Sequence, residues 1–304
     1  MNLEYLKSFY CIAECNSISK ASEELHITQP GLSSQLKKLE TELGHTLLDR
    51  SNQGVSLTPA GEIVFDYAKL IFKLEKNLYN DIKKVNNDKK KLSIAACQNF
   101  GSFYFSSKIH QFEEIYQDTN VTINTYNSSE VLNNILNHDY NLGIMVGSEN
   151  CKHIENSDNC NHIDITNFFE DELILCVNSS YPKNTINIKD FLELPFILRE
   201  ESSSAYSLIE EFVEEIGISL ETLNVSFSSN SINITKDSVL NSSAAAFFPK
   251  SAVELELNKN LLKKLEFKNL DSNSSIPIDY SLIKRKEYVL NEQEEKFKDF
   301  LLKI

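Results

Sequence analysis

The amino-acid sequence predicts a two-part architecture in which a small helical domain and a long helix precede a larger α/β domain. Three observations support this prediction. The first sixty residues contain three short helical segments followed by two short strands. One long helical segment with apolar residues at heptad spacing comes next. The last two hundred residues then alternate apolar strands with amphipathic helices, which is typical of an α/β fold.

Length and composition limit the class of protein. A chain of 304 residues with 41% hydrophobic residues is long enough for two or three domains with apolar cores. No apolar run approaches the ~20 residues that cross a bilayer, and the N-terminus lacks the apolar stretch of a secretory signal. We therefore expect a cytoplasmic protein without a membrane segment, whose six cysteines are free thiols.

The formal charge of −14 is unevenly distributed along the chain. Residues 1–90 contain twelve basic and twelve acidic side chains, so the whole acidic excess lies in the remainder. A neutral segment can still bind phosphates when its positive side chains share one face. The net charge therefore does not exclude nucleic acid as a partner of the N-terminal part.

Three helical segments at the N-terminus follow the order of a helix-turn-helix. Apolar residues at helical spacing predict the first segment, and the second starts at about Ser19. Thr28 is a suitable N-cap for the third segment, Pro30 suits its first turn, and Gly44 ends it. The third segment therefore has the position of a recognition helix.

The outward positions of this third helix carry short polar groups and lysines, namely Gln29, Pro30, Ser33, Ser34, Lys37 and Lys38. Short donors and acceptors suit base edges in a major groove, and lysine suits phosphates. An ordinary solvated helix face has a similar composition. Two short strands, at 46–50 and 55–57, then predict a β-hairpin wing, from which Arg50 and Gln53 reach the DNA backbone or the minor groove.

The first sixty residues resemble the LysR-type transcriptional regulators almost position for position. The match runs without gaps from Ala21 and Leu25 through Thr28-Gln29-Pro30-Gly31-Leu32-Ser33 to Leu57-Thr58 and Ala60-Gly61. The resemblance implies a winged helix-turn-helix that binds DNA.

The resemblance also assigns a DNA interface. The family's base-contacting positions correspond to Gln29, Pro30, Ser33 and Ser34, and we predict that the interface is completed by Ser19, Thr28, Lys37, Arg50 and Gln53. Ser34 stands where many members carry arginine, so we expect altered base readout at that position. Leu48 replaces the phenylalanine that is usual in the wing strand.

Residues 59–90 are predicted to form a linker helix that begins after Thr58. Its apolar residues form a heptad seam of Ile71, Leu74, Leu78, Ile82 and Val85. Packing against its own domain would produce the same pattern. In LysR-type proteins this helix pairs antiparallel with that of a second subunit. The resemblance therefore implies a homodimer or homotetramer that binds two half-sites of double-stranded promoter DNA.

The rest of the chain, residues 91–304, is predicted to be an effector-binding domain. Here the resemblance is weaker, and it implies two Rossmann-like subdomains arranged as in periplasmic binding proteins of type 2. Subdomain I would comprise 91–164 and 268–304, and subdomain II would comprise 165–267. The DNA-binding domain would then comprise 1–58.

Three polar clusters lie where α/β sheets bind ligands, at strand ends and helix N-termini. They are Cys97-Gln98-Asn99, Ser128-Ser129 and Ser202-Ser203-Ser204. Hydroxyl and free N–H groups suit a small metabolite, including an anionic one, although each cluster alone is also an ordinary helix cap. The third cluster lacks the glycine and the Thr-Arg pair that are frequent in the family, so the sequence does not identify the effector.

Cysteine and histidine suggest two further sites. Cys151-x-His153 and Cys160-x-His162 offer four ligands for Zn²⁺, but a surface loop with chance ligands explains the same pattern. Cys97, before a predicted helix, suggests a thiol sensor, although a small residue lining a pocket is the simpler interpretation. We therefore predict neither a metal nor another cofactor.

The motifs of common enzymes are missing from the sequence: there is no GxGxxG, P-loop, GxSxG or HExxH. We therefore expect a transcriptional regulator rather than an enzyme, with an effector that alters promoter binding and with contact to RNA polymerase. The alternative is a solute-binding protein without specific DNA activity. The helix-turn-helix and the missing signal sequence argue against that alternative.

Overall fold

The computed structural model describes residues 2–51, 54–84, 90–98, 100, 105–147, 161–268 and 275–303. The chain divides into two compact units, Met1–Asn87 and Asp88–Ile304. Among the described residues, no helix is both long enough and apolar enough to cross a bilayer.

The N-terminal unit contains four helices and a hairpin among its described residues. They are α1 (Leu3–Cys15), α2 (Ile18–Glu24), α3 (Gln29–Leu43), β1 (Leu48–Ser51), β2 (Gly54–Leu57) and α4 (Pro59–Lys84). The predicted caps of α3 are confirmed, with Thr28 at its start and Gly44 in the left-handed region (φ 73°) at its end. Helix α2 begins one residue earlier than predicted, because the Ser17 hydroxyl accepts from the N–H of Lys20.

The core of this unit is built by every one of its helices. The fully or nearly fully buried apolar side chains include Leu6, Phe9, Ile12, Ala21, Leu32, Leu36, Leu39, Leu47, Leu48 and Ala68. Tyr10 of α1 stacks on Phe65 of α4, with ring centroids 5.1 Å apart. The inward leucines of α3 follow the helical spacing, and therefore its other side is left for solvent or a partner.

Helix α4 presents an apolar stripe to solvent. Five side chains of this stripe are exposed by 41–66%, namely Ile63, Tyr67, Leu74, Leu78 and Ile82. Ile71, which the sequence assigned to the heptad seam, is instead partly buried against the unit's own core. Val85, the last residue of the predicted seam, lies outside the described residues. The heptad pattern thus combines an intradomain contact with an unpartnered surface.

The C-terminal unit is built on a sheet of nine described strands, in the order β4-β3-β5-β13-β6-β10-β8-β9 with β11 beside β6. The strands are β3 (Lys90–Cys97), β4 (Thr119–Tyr126), β5 (Leu142–Val146), β6 (Ile163–Asn178), β8 (Pro195–Arg199), β9 (Asn224–Ser229), β10 (Ala245–Pro249), β11 (Leu262–Lys264) and β13 (Ser275–Arg285). A small parallel pair is formed by β7 (Thr185–Ile186) and β12 (Glu266–Phe267).

Seven described helices cover this sheet: α5 (Phe105–Ile115), α6 (Ser128–Leu136), α7 (Ile188–Glu193), α8 (Ser204–Glu215), α9 (Ile232–Leu240), α10 (Lys250–Asn258) and α11 (Glu292–Leu301). Successive residues of one strand face opposite cores. In β3, Ile94 and Ala96 join the main core whereas Ala95 joins another. The predicted α/β class is confirmed.

Two long antiparallel strands connect the halves of the sheet. Strands β6 and β13 pair from Ile163–Arg285 at one end to Ile174–Ser275 at the other. One half contains the parallel strands β3, β4 and β5, and the other contains the parallel strands β8, β9 and β10. The sequence predicted only 172–177 of β6, because its first nine residues are too polar to indicate a buried strand. In the structure, pairing with β13 makes these residues part of the strand. The helices α7, α9 and α10 were also not predicted.

Candidate functional site

The first three turns of α3 carry most of the predicted DNA-contacting side chains. Gln29, Pro30, Ser34 and Lys37 are exposed, and Ser33 is partly exposed. Gln29 Nε2 donates to Ser19 Oγ at 3.1 Å, so these two predicted contact residues lie together although ten positions separate them. Because Ser19 and Gln29 belong to different helices, helical spacing in the sequence could not predict this hydrogen bond.

Thr28 has a structural role as well as a predicted contact. Its hydroxyl accepts from the N–H of Gly31 at 3.3 Å and so satisfies one of the free N–H groups of the first turn. Behind this turn, Gln35 accepts a hydrogen bond from Ser8 of α1. Gln35 and Glu40, which accepts from the N–H of Leu47 at 2.8 Å, thus anchor α3 within the unit, whereas Gln29, Ser34 and Lys37 are exposed.

The wing is a short antiparallel hairpin in which Leu48 pairs with Leu57 and Arg50 with Val55. The N–H of Val55 donates to the carbonyl of Asn16 at 3.3 Å, which fixes the hairpin to the end of α1. The side chain of Arg50 and the whole of Gln53 lie outside the described residues. Their predicted DNA contacts therefore stay predictions.

A second candidate site lies in the C-terminal unit, at the carboxyl ends of its parallel strands. The ends of β3, β4, β5 and β8 converge on a small cavity. The cavity is lined by Cys97, Gln98, Tyr126, Asn127, Ser128, Val146, Arg199, Glu200, Ser203, Ser204 and Ala205. We refer to this cavity as the cleft. Carboxyl ends of parallel strands are the usual position for ligands in α/β sheets.

The structure brings together members of all three predicted polar clusters. Cys97, Gln98, Ser128, Ser203 and Ser204 line the cleft. The described lining does not include Ser129 or Ser202, and Asn99 lies outside the described residues. Residues separated by about a hundred positions are neighbours here because β6 and β13 join the two halves of one sheet.

The N-termini of two helices open onto the cleft. Asn127 caps α6 with a capping box: the Asn127 side chain accepts from the N–H of Glu130, and the Glu130 side chain accepts from the N–H of Asn127. Ser203 caps α8 and accepts from the N–H of Ala205 at 3.3 Å. Helix N-termini carry partial positive charge and N–H groups without intrahelical partners. Both helices therefore favour negative charge in the cleft.

Arg199 is a candidate binding residue that the sequence analysis did not identify. It ends β8, lines the cleft and is only 6% exposed. Burial lowers the pKa of its guanidinium, and the neighbouring Glu200 opposes that shift. The sequence does contain a signal for this residue: a cation directly follows the apolar stretch Phe196-Ile197-Leu198. A residue at the carboxyl end of a buried parallel strand lies at the edge of the sheet where ligands bind.

Cys97 has the environment of an inert thiol. Its side chain is buried, and burial raises its pKa to about 12 despite hydrogen bonds from nearby backbone groups. The thiolate is the reactive form of cysteine. The environment of Cys97 thus favours the interpretation as a small residue that lines the cleft, and the thiol-sensor hypothesis gains no support from it.

Within the described part of the chain, one group of three side chains has the chemistry and spacing to hold a metal ion. Sulfur and oxygen atoms of Cys11, Cys15 and Glu24 lie within 4.8 Å of one another. The Cys15 thiol donates to Glu24 at 3.3 Å, and burial, followed by its neighbours, raises the pKa of Cys11 to about 12. These protonated thiols link the end of α1 to α2. Of the two CxH pairs, Cys151, His153 and Cys160 lie outside the described residues, and His162 is exposed.

Comparison with protein families gives matches along almost the whole chain. Residues 3–62 match the model of the bacterial regulatory helix-turn-helix proteins of the lysR family. Residues 86–303 match the model of the LysR substrate-binding domain. The two matched ranges contain the recognition helix and the cleft, respectively.

Curated relatives and solved structures agree with these matches. The chain is 29% identical over 277 residues to a probable RuBisCO transcriptional regulator of Trieres chinensis, covering 88% of this chain and 86% of the relative. It is 29% identical over 273 residues to the protein of the same name in Cyanophora paradoxa, covering 88% and 82%. Similar folds are CbnR, a LysR family regulator (TM-score 0.59, 18% identity, coverage 100% and 99%), and Vibrio fischeri DarR in complex with DNA (TM-score 0.59, 18% identity, coverage 100% and 99%).

Proposed function

This chain belongs to the LysR family of DNA-binding transcriptional regulators, and we propose that it reads promoter DNA with α3 and senses a small molecule in the cleft. The observation that carries the proposal is the convergence of four strand ends and two helix N-termini on one cavity lined by residues from all three predicted clusters. A regulator of this family has no catalytic role, and we propose none here.

The proposed DNA interface consists of Ser19, Thr28, Gln29, Pro30, Ser33, Ser34 and Lys37, with Arg50 and Gln53 on the wing. Amide and hydroxyl groups at the start of a helix are suited to base edges, because they are short and both donate and accept. Gln29, which the Ser19 hydroxyl already orients, supports this proposal most directly. Lys37 lies two turns further along the helix and suits a phosphate.

The proposed effector site consists of the cleft residues Cys97, Gln98, Ser128, Ser203 and Ser204, and the sequence adds Asn99, Ser129 and Ser202 as further predicted members. The polar lining of this cavity suits a small polar molecule. Its effect on transcription requires that the effector bind two arrangements of the protein with different affinity. We propose that these arrangements place the two DNA-binding units of an oligomer differently.

Oligomerisation is the third part of the proposal. The apolar stripe of α4 leaves Leu74, Leu78 and Ile82 exposed at helical spacing, and apolar residues at this spacing suit pairing with a second helix. We propose a homodimer or homotetramer formed through this stripe, which acts in the cytoplasm where promoter DNA and RNA polymerase are found. A dimer with two-fold symmetry reads two half-sites.

Fluorescence anisotropy on DNA from upstream of the protein's own gene tests the interface. We expect Gln29→Ala to weaken specific binding by ~1–3 kcal/mol, because a base contact is lost. Lys37→Ala should instead weaken binding to all sequences alike, because a phosphate contact is lost. In a plot of the logarithm of the binding constant against the logarithm of the salt concentration, the slope should become less steep by about one.

Thr41→Ala is the matched control, since Thr41 is an exposed polar residue of the same helix beyond its first turns. It should bind like the wild type. Equal loss of affinity in Gln29→Ala and Thr41→Ala would contradict the proposed interface. The absence of sequence-preferring binding by the wild type on any upstream fragment would contradict the proposal as a whole.

A further inference from the structure

Arg199 has more hydrogen-bond donors than the protein satisfies. A guanidinium offers five N–H groups and no acceptor. One of them, on Nη2, donates to Gln98 Oε1 at 3.0 Å. The Nε and Nη1 atoms are shielded from solvent, and neither has a hydrogen-bond partner among the described residues. The side chain is 94% buried and reaches the wall of the cleft.

An unpaired buried cation is costly, because desolvation of the charge is not offset by an acceptor. Glu200, the next residue, is the acidic side chain in the described lining of the cleft. It acts on Arg199 through its charge, and no described residue gives Nε or Nη1 an acceptor oxygen. Within the described residues the arrangement is therefore incomplete, and an acceptor that carries negative charge would complete it.

The surroundings of Arg199 offer further donors. The N-terminal turns of α6 and α8 open onto the same cavity, and Ser128, Ser203 and Ser204 supply hydroxyl groups there. Helix N-termini and guanidinium groups are the two protein features that most often bind oxyanions. In the cleft they act on one small volume.

We propose that the effector binds through an oxyanion group, a carboxylate, a sulfate or a phosphate, that is seated on Arg199 between the N-termini of α6 and α8. This inference rests on the proposed function of the cleft as the effector site and adds the chemical class of the ligand. Each of these groups presents at least two acceptor oxygens, which matches the free donors of Arg199.

The test measures thermal unfolding of the full chain in sodium phosphate, sodium sulfate, sodium acetate and sodium chloride at matched ionic strength. For the wild type we expect at least one of the three oxyanions to raise the melting temperature above its value in chloride, because a ligand that binds only the folded state stabilises it. Titration of that anion then gives its dissociation constant.

Arg199→Met separates a binding role from a structural one. Methionine fills similar space without a charge, so without oxyanion this variant should melt at the wild-type temperature or above it. Its response to the anion should fall, with binding weakened about ten- to hundredfold. Arg199→Lys should retain part of the response, and Lys189→Met, which removes an exposed cation from the same unit, should respond like the wild type.

Two results would overturn the inference. One is an Arg199→Met variant that is less stable than the wild type yet keeps the full anion response, because Arg199 would then be a structural residue. The other is a wild type that none of the three oxyanions stabilises, since the free donors would then have no affinity for such groups.

DNA binding, measured in parallel, distinguishes failure of the proposed function from failure of this inference. If the oxyanion binds through Arg199 but leaves promoter affinity unchanged at every concentration, the anion site stands and the regulatory role of the cleft fails. If a cleft ligand changes promoter affinity equally in wild type and Arg199→Met, the regulatory role stands and the oxyanion class is wrong.

Discussion

Two arginines of the C-terminal unit differ in how far their hydrogen-bond donors are satisfied. The Arg285 guanidinium donates to the carbonyls of Ile135 and Tyr140 and to Asn141 Oδ1 at 2.5–2.9 Å. Arg199 is more deeply buried and makes one such bond within the part of the chain that the structure describes. Buried polar groups are normally satisfied, and an exception within a cavity is therefore informative.

The Cys97 thiol is expected to resist alkylation in the folded protein. With a pKa of about 12, only about one molecule in ten thousand carries the thiolate at pH 8. Iodoacetamide labelling followed by peptide mass spectrometry should therefore modify Cys97 only after denaturation. Rapid labelling of Cys97 in the native state would contradict this prediction and revive the thiol-sensor hypothesis.

Glu292 is expected to give the stability of the C-terminal unit a pH dependence. Hydrogen bonds from Lys296 and then Lys90 lower the pKa of this carboxyl from 4.5 to about 2. Because the folded pKa is depressed, the contribution is fully present above pH 4.5 and is lost as the pH falls towards 2.

Thermal unfolding of Glu292→Gln measures this contribution. The variant should melt below the wild type at pH 7, and the difference should shrink as the pH falls below 4.5 and as salt screens these exposed charges. Glu287→Gln, at an exposed carboxylate nearby in the chain, is the control and should show little difference at any pH. A difference for Glu292→Gln that is independent of pH would refute the ion-pair explanation.

At the scale of elements, one close approach fixes how α4 leaves the wing. A Cβ atom at Gly61, in the first turn of α4, would lie 2.0 Å from the carbonyl oxygen of Leu47. The same carbonyl accepts from the N–H of Thr58 at 3.0 Å. The start of the helix is therefore held against the backbone before β1, where only glycine fits.

Gly61→Ala is expected to destabilise the N-terminal unit by about 1–3 kcal/mol or more, because the backbone must move to admit the methyl group. Circular dichroism during thermal unfolding measures the loss. The control is Asp66→Ala, which places alanine at an exposed position of the same helix and should cost much less. Equal stability of Gly61→Ala and the wild type would show that this contact is not tight.

For the whole molecule, the exposed stripe of α4 is expected to set the oligomeric state. Leu78 is 58% exposed, and lysine at this position would place charge in the proposed helix pair. We expect Leu78→Lys to be monomeric at micromolar concentration by light scattering and to lose affinity for a two-half-site operator.

Lys76→Ala is the matched control, at an exposed polar position of the same helix. It should keep both the oligomer and its DNA affinity. A monomeric wild type would contradict the proposed oligomer, and an unchanged oligomer in Leu78→Lys would place its interface elsewhere.

Much of the architecture was determined by local features of the sequence. The caps Thr28 and Gly44, the inward leucines of α3 and the alternation of strands and helices depend on residues a few positions apart. Helix periodicity and capping act within one or two turns, and for this reason the sequence alone reveals them. The family resemblance added the DNA interface, whose residues still await a direct test.

Only the tertiary structure decided which of these elements meet. The length of β6 depends on pairing with β13, about a hundred residues away, and Ile71 proved to be an intradomain contact. The position of Arg199 opposite Gln98 and Ser128 follows from the sheet that joins the two halves. Burial and unpaired donors are properties of a residue's spatial neighbours, and sequence periodicity carries no information about neighbours that are distant in the chain.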